Sequence, residues 1–352
     1  MSDGVRDLSV IIPTRNRARS LLRTLEALAQ QSHPLDRVEV VVSANDCADA
    51  TAERVRALTA PYALTLVDRP TPGMSAARNA GAAVARGRVL LFLDDDIEPL
   101  PDLVAAHARA HAGGDEPSGA QAGAGDLVVV GPLLAPPLAG RPSLFAERLR
   151  RLDAGFATLL AGAREPLDWY CMIGGNVSMP ATLFRRLGGF DATLVAYGGE
   201  DYELGYRAQQ AGARFAFAGG AGGYHHRHEN SSVAGYLRNA RSVGRNDVEI
   251  TRRHPAMVVH LPLGLVARPS TSSGRLARVL AFDRPRIGDA LARALGVAGA
   301  ALARLRWRRP WNRLMDGLYQ YWYFRGVADV LGNRREVVAA LSRLKAQDTV
   351  PT

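Results

Sequence analysis

Residues 88–99 read RVLLFLDDDIEP. Val89 to Leu93 form an apolar run long enough for a strand buried on both faces and too short for a helix of its own. Asp94, Asp95 and Asp96 follow without a spacer. Three carboxylates at the exit of a buried strand repel one another, so they persist together only where solvent, hydrogen bonds or a cation compensates them. Two readings stand for the triplet: a divalent-cation site at the carboxyl edge of a parallel sheet, or a solvated acidic turn capping the next helix.

The residues before this strand repeat one pattern. Leu8 to Ile12 read as a strand that Pro13 ends, Thr14, Arg15 and Asn16 turn the chain, and Leu21, Leu22, Leu25, Leu28 and Ala29 recur at helical spacing. Val38 to Ser43 read as a second strand running into Asn45, Asp46 and Asp49, with Ala52, Val55 and Leu58 on the helix after it. Tyr62 to Val67 read as a third strand, and Met74 to Ala85 as a helix with Gly87 at its C′ position. This alternation predicts an α/β fold with a mostly parallel central sheet flanked by helices. Ligands of such sheets bind outside the carboxyl ends of the strands, where Arg15, Asn45, Asp46 and the aspartate triplet emerge. The first turn, PTRNR, is neither GxGxxG nor a P-loop, so any phosphates there require a metal and arginines rather than a glycine nest.

Downstream, Leu100 to His111 read as a helix, 113–125 as a glycine- and alanine-rich loop, and Leu127 to Val130 as a strand. A helix is expected near Phe145 to Leu152. The stretch DWYCMIGGNVSMP, with Trp169, Gly175 and Asn176, reads as a strand and bend in a site wall. Gly198 and Gly199 predict a turn, and Glu200, Asp201 and Glu203 begin a helix, where the helix dipole alone would also favour them. Phe215 to Ala218 read as a last strand, and His225, His226 and His228 after it invite a metal reading.

Four segments in this order resemble the family 2 glycosyltransferases of GT-A type: SVIIPTRNR, GMSAARNAG, LFLDDD and GGEDYELGYRAQQAG, within about Leu8 to Arg245. The resemblance implies a nucleotide-diphosphate sugar donor, a divalent metal (Mn²⁺ or Mg²⁺) and transfer with inversion at the anomeric carbon. It puts metal ligands on Asp94 and Asp96 and on a late histidine, His225 or His226, with His228 as a further candidate. Donor-binding positions fall on Pro13, Thr14, Arg15, Arg78, Asn79, Asp94 and Asp95. The general base falls on Asp201, with Glu200 preceding it. Ala44 stands at the usual acidic position that contacts the base, and Asn45 or Asp46 is expected to reach the base instead. The acceptor implied is a glycan, a lipid-linked glycan or a small molecule, with Trp169, Gly175 and Asn176 on its side of the site. A catalytically degenerate sugar-nucleotide binder is the alternative.

The whole chain sets further bounds. Its 352 residues suffice for roughly two domains, expected as a catalytic domain over 1–253 and a basic, mainly helical extension over 254–352. An apolar content of 47% suits a globular chain, and no apolar run approaches a bilayer span. The start MSDGVRDLSV lacks a secretory apolar region, which gives a cytoplasmic expectation. The two cysteines, Cys47 and Cys171, have no ligand or disulfide spacing. A net charge of +10 asks for an anionic partner, but no recognition helix or interleaved basic and aromatic strand occurs in the first 250 residues, so nucleic acid is not expected. Between Arg284 and Arg313 eight arginines stand against one acid, Asp289, while Leu291, Leu295, Ala298, Leu302 and Leu305 recur at helical spacing and Trp307 and Trp311 flank RRP. Two readings stand for 284–313: a peripheral segment on an anionic membrane's inner face, or a helical cap with solvated arginines.

Overall fold

The computed structural model describes residues 6–69, 73–113, 126–137, 140–163, 167–195, 197–267 and 271–332. The loop expected over 113–125 lies outside them from residue 114 onward. The elements in chain order are β1 (Leu8–Thr14), α1 (Ala18–Leu28), β2 (Val38–Asn45), α2 (Thr51–Arg56), β3 (Ala63–Arg69), α3 (Met74–Val84), β4 (Val89–Leu93), β5 (Ile97–Pro99), α4 (Leu103–Ala112), β6 (Leu127–Val130) and β7 (Leu133–Leu134). They continue with α5 (Leu144–Gly162), β8 (Asn176–Pro180), α6 (Ala181–Arg186), α7 (Glu200–Gln210), β9 (Arg214–Phe217), β10 (Gly223–His225) and α8 (Arg227–Asn230). Among the described residues five α-helices follow: α9 (Val233–Arg253), α10 (Leu263–Ala267), α11 (Ser272–Phe282), α12 (Pro285–Arg304) and α13 (Arg308–Leu331).

The chain packs as two compact units. The first holds the described residues of Met1–Ala139, Leu149–Val195 and Glu200–Asn230. Its seven-stranded sheet has the order β3-β2-β1-β4-β8-β6-β9, parallel except for β8, which runs antiparallel to β4 and β6. Val10, Ile12, Val40, Val42, Leu91 and Leu93 are buried in one cluster with Leu21, Leu25 and Leu28 of α1, which explains why β4 reads as an unbroken apolar run and β1 and β2 as mostly apolar ones, interrupted by Ser9 and Glu39.

Two local expectations change. Pro13 does not end β1, which continues to Thr14. Pairing with β4 stops at Ile11 while pairing with β2 runs on, so beyond Ile11 one side of the strand needs no donor and proline is tolerated. Gly87 does not serve as a left-handed helix cap; a side chain there would strike the Ser9 backbone nitrogen at 2.5 Å, so close approach requires glycine. A second sheet, β5-β10-β7, is too short to be read from periodicity, and its register sets His225 opposite Ile97, beside Asp96.

The second unit holds the described residues of Gly140–Arg148, Ala196–Gly199 and Ser231–Thr352, so a boundary at 253/254 falls inside it. The aromatic residues of 319–332 pack within this unit: Tyr321, Tyr323 and Phe324 are buried with Trp311, Leu318 and Leu237. Helices α9 and α13 cross at two glycines, Gly244 beneath the Tyr323 carbonyl and Gly326 beneath the Arg241 carbonyl. Tyr323 donates to the buried Asp247 at 2.6 Å, and burial pushes that carboxyl up to about 7. A methyl at Gly326 would meet backbone, which has no rotamer to give, so Gly326→Ala is expected to cost about 1–3 kcal/mol despite alanine's better helix propensity. Gly296→Ala, with nothing within 4 Å, should instead be neutral or stabilising. Thermal midpoints check the crossing, with a fall expected in Gly326→Ala and none in Gly296→Ala; equal shifts would refute it.

Candidate active site

The carboxyl end of β4 is compensated by two arginines, Arg17 from the turn before α1 and Arg78 from α3. Thr14 donates to Asp95 at 2.6 Å, and Arg17, just before α1, donates to Asp95 at 2.9 Å and to Asp96 at 3.4 Å. Thr24 of α1 ties down the backbone through the Asp95 and Ile97 carbonyls. Burial, opposed by Arg17, pushes the Asp95 carboxyl up to about 7. Arg17 was not singled out from the sequence, although it closes the same PTRNR turn as Arg15.

Asp94 points the other way. Its carboxylate accepts from Arg78 of α3 at 2.9 Å, and the other guanidinium nitrogen donates to Glu200 at 2.9 Å. Arg78 is buried, lies over the Phe190 ring at 5.2 Å, and is held protonated by Asp94 and Glu200 against the effect of burial. The aspartate triplet and the start of α7 therefore share one cation.

The Gly174–Gly175 bend joins the same groups through its backbone. The Gly174 amide donates to Asp201 Oδ2 at 3.0 Å, the Gly174 carbonyl accepts from Arg78 at 3.3 Å, and the Gly175 carbonyl accepts from the Asp94 amide at 3.1 Å. A side chain at Gly175 would come within 2.9 Å of the Asp94 carboxylate, which is why the bend is glycine there. Asp201 also accepts from the Tyr202 amide at 2.9 Å. Burial first, and then the Glu200 charge, push Asp201 up to about 6.

The histidines separate. His225 lies 3.6 Å from Asp96 and 3.4 Å from Asp153, and although burial favours its neutral form, these carboxylates outweigh it and push His225 up to about 9. His226 turns to Glu98 at 2.7 Å, and burial lowers His228. An imidazole nitrogen and a carboxylate oxygen 3.6 Å apart have the donor chemistry of a Mn²⁺ or Mg²⁺ site. Among the described residues no cluster of three or more His, Cys, Asp or Glu side chains closes on a common point, since Asp94 is drawn to Arg78.

Several side chains expected to meet ligand are engaged inside the protein. Asn79 bonds the Phe190 carbonyl and amide at 2.8 and 2.9 Å and so holds that turn. Asn176 is 1% exposed, with its amide between His107 at 3.0 Å and the Ala221 carbonyl at 2.7 Å. Pro13, Ala44 and Asn45 are buried. Arg15 and Asp46 stay exposed and pair at 2.7 Å, with Asp46 at φ 55° and Asn16 at φ 54°, two non-glycine residues in the left-handed region at the same edge. Trp169 is buried among Tyr170, Tyr202 and Tyr206, and Tyr170, at 40% exposure, presents the cluster to solvent. Tyr170 could have been found from the adjacent aromatic residues of DWYC.

Residues 9–118 match Glycosyl transferase family 2, and residues 156–229 match a family described as N-terminal domain of galactosyltransferase. A validoxylamine A glucosyltransferase of Streptomyces hygroscopicus subsp. jinggangensis is 33% identical over 278 residues, covering 72% of this chain and 62% of that protein. Its counterpart in subsp. limoneus is 32% identical, with 58% of its length covered, so the chain spans about three fifths of these relatives. A mannosyltransferase from Pyrobaculum calidifontis, solved with GDP-Man and Mn²⁺, shares the fold with a TM-score of 0.53 at 21% identity, covering 91% of this chain and 88% of that one.

Proposed function

The chain belongs to glycosyl transferase family 2, and from that premise we propose that it moves a sugar from a nucleotide-diphosphate sugar to an acceptor hydroxyl with inversion. The observation that carries this reading is the buried Arg78, which ties Asp94 of the strand-end triplet to Glu200, the neighbour of Asp201. One guanidinium thus sets the donor-side carboxylates and the base-side carboxylate around the same Gly174–Gly175 bend.

Asp201 takes the proton from the acceptor hydroxyl, and the two amides it accepts from aim its carboxylate. Arg17 and Thr14 hold Asp95 toward the donor side, and the exposed Arg15 and Asp46 lie where a base in place of the usual acidic contact would be read. Tyr170 and the bend at Gly175 wall the acceptor side, for a glycan, a lipid-linked glycan or a small hydroxylated molecule. Asp96 and His225, with Asp94, are the residues that would hold a divalent cation. Bound there, it would neutralise the charge developing on the departing nucleotide diphosphate. The mannosyltransferase with GDP-Man and Mn²⁺ supports a nucleotide-sugar donor.

The test is nucleotide-diphosphate release from a panel of sugar nucleotides, with Mn²⁺ or Mg²⁺ against chelator. One donor is expected to turn over with metal, and Asp96→Ala is expected to abolish the metal stimulation. Donor binding without turnover, across donors and acceptors, would replace the transferase by a degenerate sugar-nucleotide binder.

A further inference from the structure

Helix α12 reverses the usual arrangement of an amphipathic helix on a core. Its small residues Gly288, Ala292 and Gly299 face inward, and a side chain at Gly288 would strike the Tyr321 hydroxyl at 2.6 Å. Most of its large apolar residues are left outside: Ile287, Leu291 and Leu295 are 57%, 41% and 37% exposed, while Leu302 is partly buried against the core. Leu276 and Val279 of α11 are exposed too. An apolar groove of about 170 Å³ is lined by α11, α12 and α13, including Leu276, Leu280, Leu291, Leu295 and Leu314, with Arg313 as its one charged lining residue.

The charge around this face is predominantly positive, with the exposed Asp283 at the end of α11 as an exception. Arg284, Arg286, Arg293, Arg304, Arg309 and Arg313 are exposed, and among the described residues none of them forms an ion pair. The single acid of 284–313, Asp289, is engaged by Tyr321 at 2.6 Å and Arg325 at 3.6 Å. Trp311 is buried, whereas Trp307, at 57% exposure, joins the outer face.

We propose that this face of the C-terminal helices binds an anionic phospholipid surface, with lipid acyl chain entering the groove and the arginines meeting phosphates. No described helix is long and apolar enough to cross a membrane, so α12 lies along the interface. Charge selects lipid over a second copy of the chain, because a two-fold contact would set these arginines against each other. The outward apolar groove likewise suits acyl chains and not a polyanion.

The full chain should sediment with vesicles of phosphatidylcholine plus phosphatidylglycerol, remain in solution with phosphatidylcholine alone, and be released by salt. Arg286→Gln and Arg293→Gln should each lower partitioning about fivefold. The pair Leu291→Glu and Leu295→Glu, at exposed groove positions, should lower it about tenfold or more without loss of the helical circular-dichroism signal. Brominated acyl chains should quench tryptophan emission, and Trp307→Phe should remove that quenching. Indifference to phosphatidylglycerol, undiminished binding of the double leucine variant, or a concentration-dependent dimer that the same leucine changes dissolve would each overturn the proposal.

Discussion

Asp201→Asn is expected to lower kcat by about 10² to 10⁴ while leaving donor affinity unchanged, because the side chain acts on the acceptor proton and not on the donor. The variant should fold. Asparagine keeps one acceptor oxygen for the Gly174 or Tyr202 amide and loses the other bond, at about 1 kcal/mol. The pH profile supplies a second readout. A base works deprotonated, and burial together with Glu200 pushes Asp201 up to about 6. Activity of the unmodified chain should therefore climb as pH rises through about 6 and level off above it. In Asp201→Asn the residual rate should lack that limb. Normal turnover, or a limb that survives in the variant, would remove Asp201 from the role.

Arg78→Met is expected to destabilise the first unit by about 3–5 kcal/mol, the range for stripping one partner from a buried ion pair. Arg78 and Glu200 have side chains only 3% and 11% exposed, so Glu200 would be left charged without a counter-ion. Asp94, at 30% exposure, retains some solvent and contributes less. Adding Glu200→Gln to Arg78→Met should recover part of the loss, since the amide no longer demands a cation. Chemical denaturation of the two single variants and the double variant measures this coupling. A loss below about 1 kcal/mol in Arg78→Met would mean that the strand end and α7 do not depend on the shared guanidinium.

Much of the first unit was legible because its signals are local. Val89–Leu93 is an unbroken apolar run and Val38–Val42 is interrupted only by Glu39, and such runs mark parallel strands buried on both faces. Helix α7 begins at Glu200 behind Gly198 and Gly199, both at positive φ, as the paired glycines indicate. The short strands β5 and β10 carry too few residues for a period, so they escaped notice, and with them the reason that His225 and not His226 comes to Asp96.

By itself the sequence determined the alternating α/β order, the acidic strand end, the Glu200–Asp201 helix start and the basic amphipathic character of 284–313, because each lies within a few residues of chain. Only the tertiary structure decided which charge answers which. Arg17 meets Asp95 across 78 residues of sequence, and Arg78 meets Glu200 across 122. It also turned Gly288, Ala292 and Gly299 of α12 inward and Leu291 and Leu295 out, against the direction that hydrophobicity alone would choose. Periodicity reports that a helix has two faces; which one is covered depends on how closely the neighbouring helix approaches, and at Gly288 only a residue without a side chain fits beneath Tyr321.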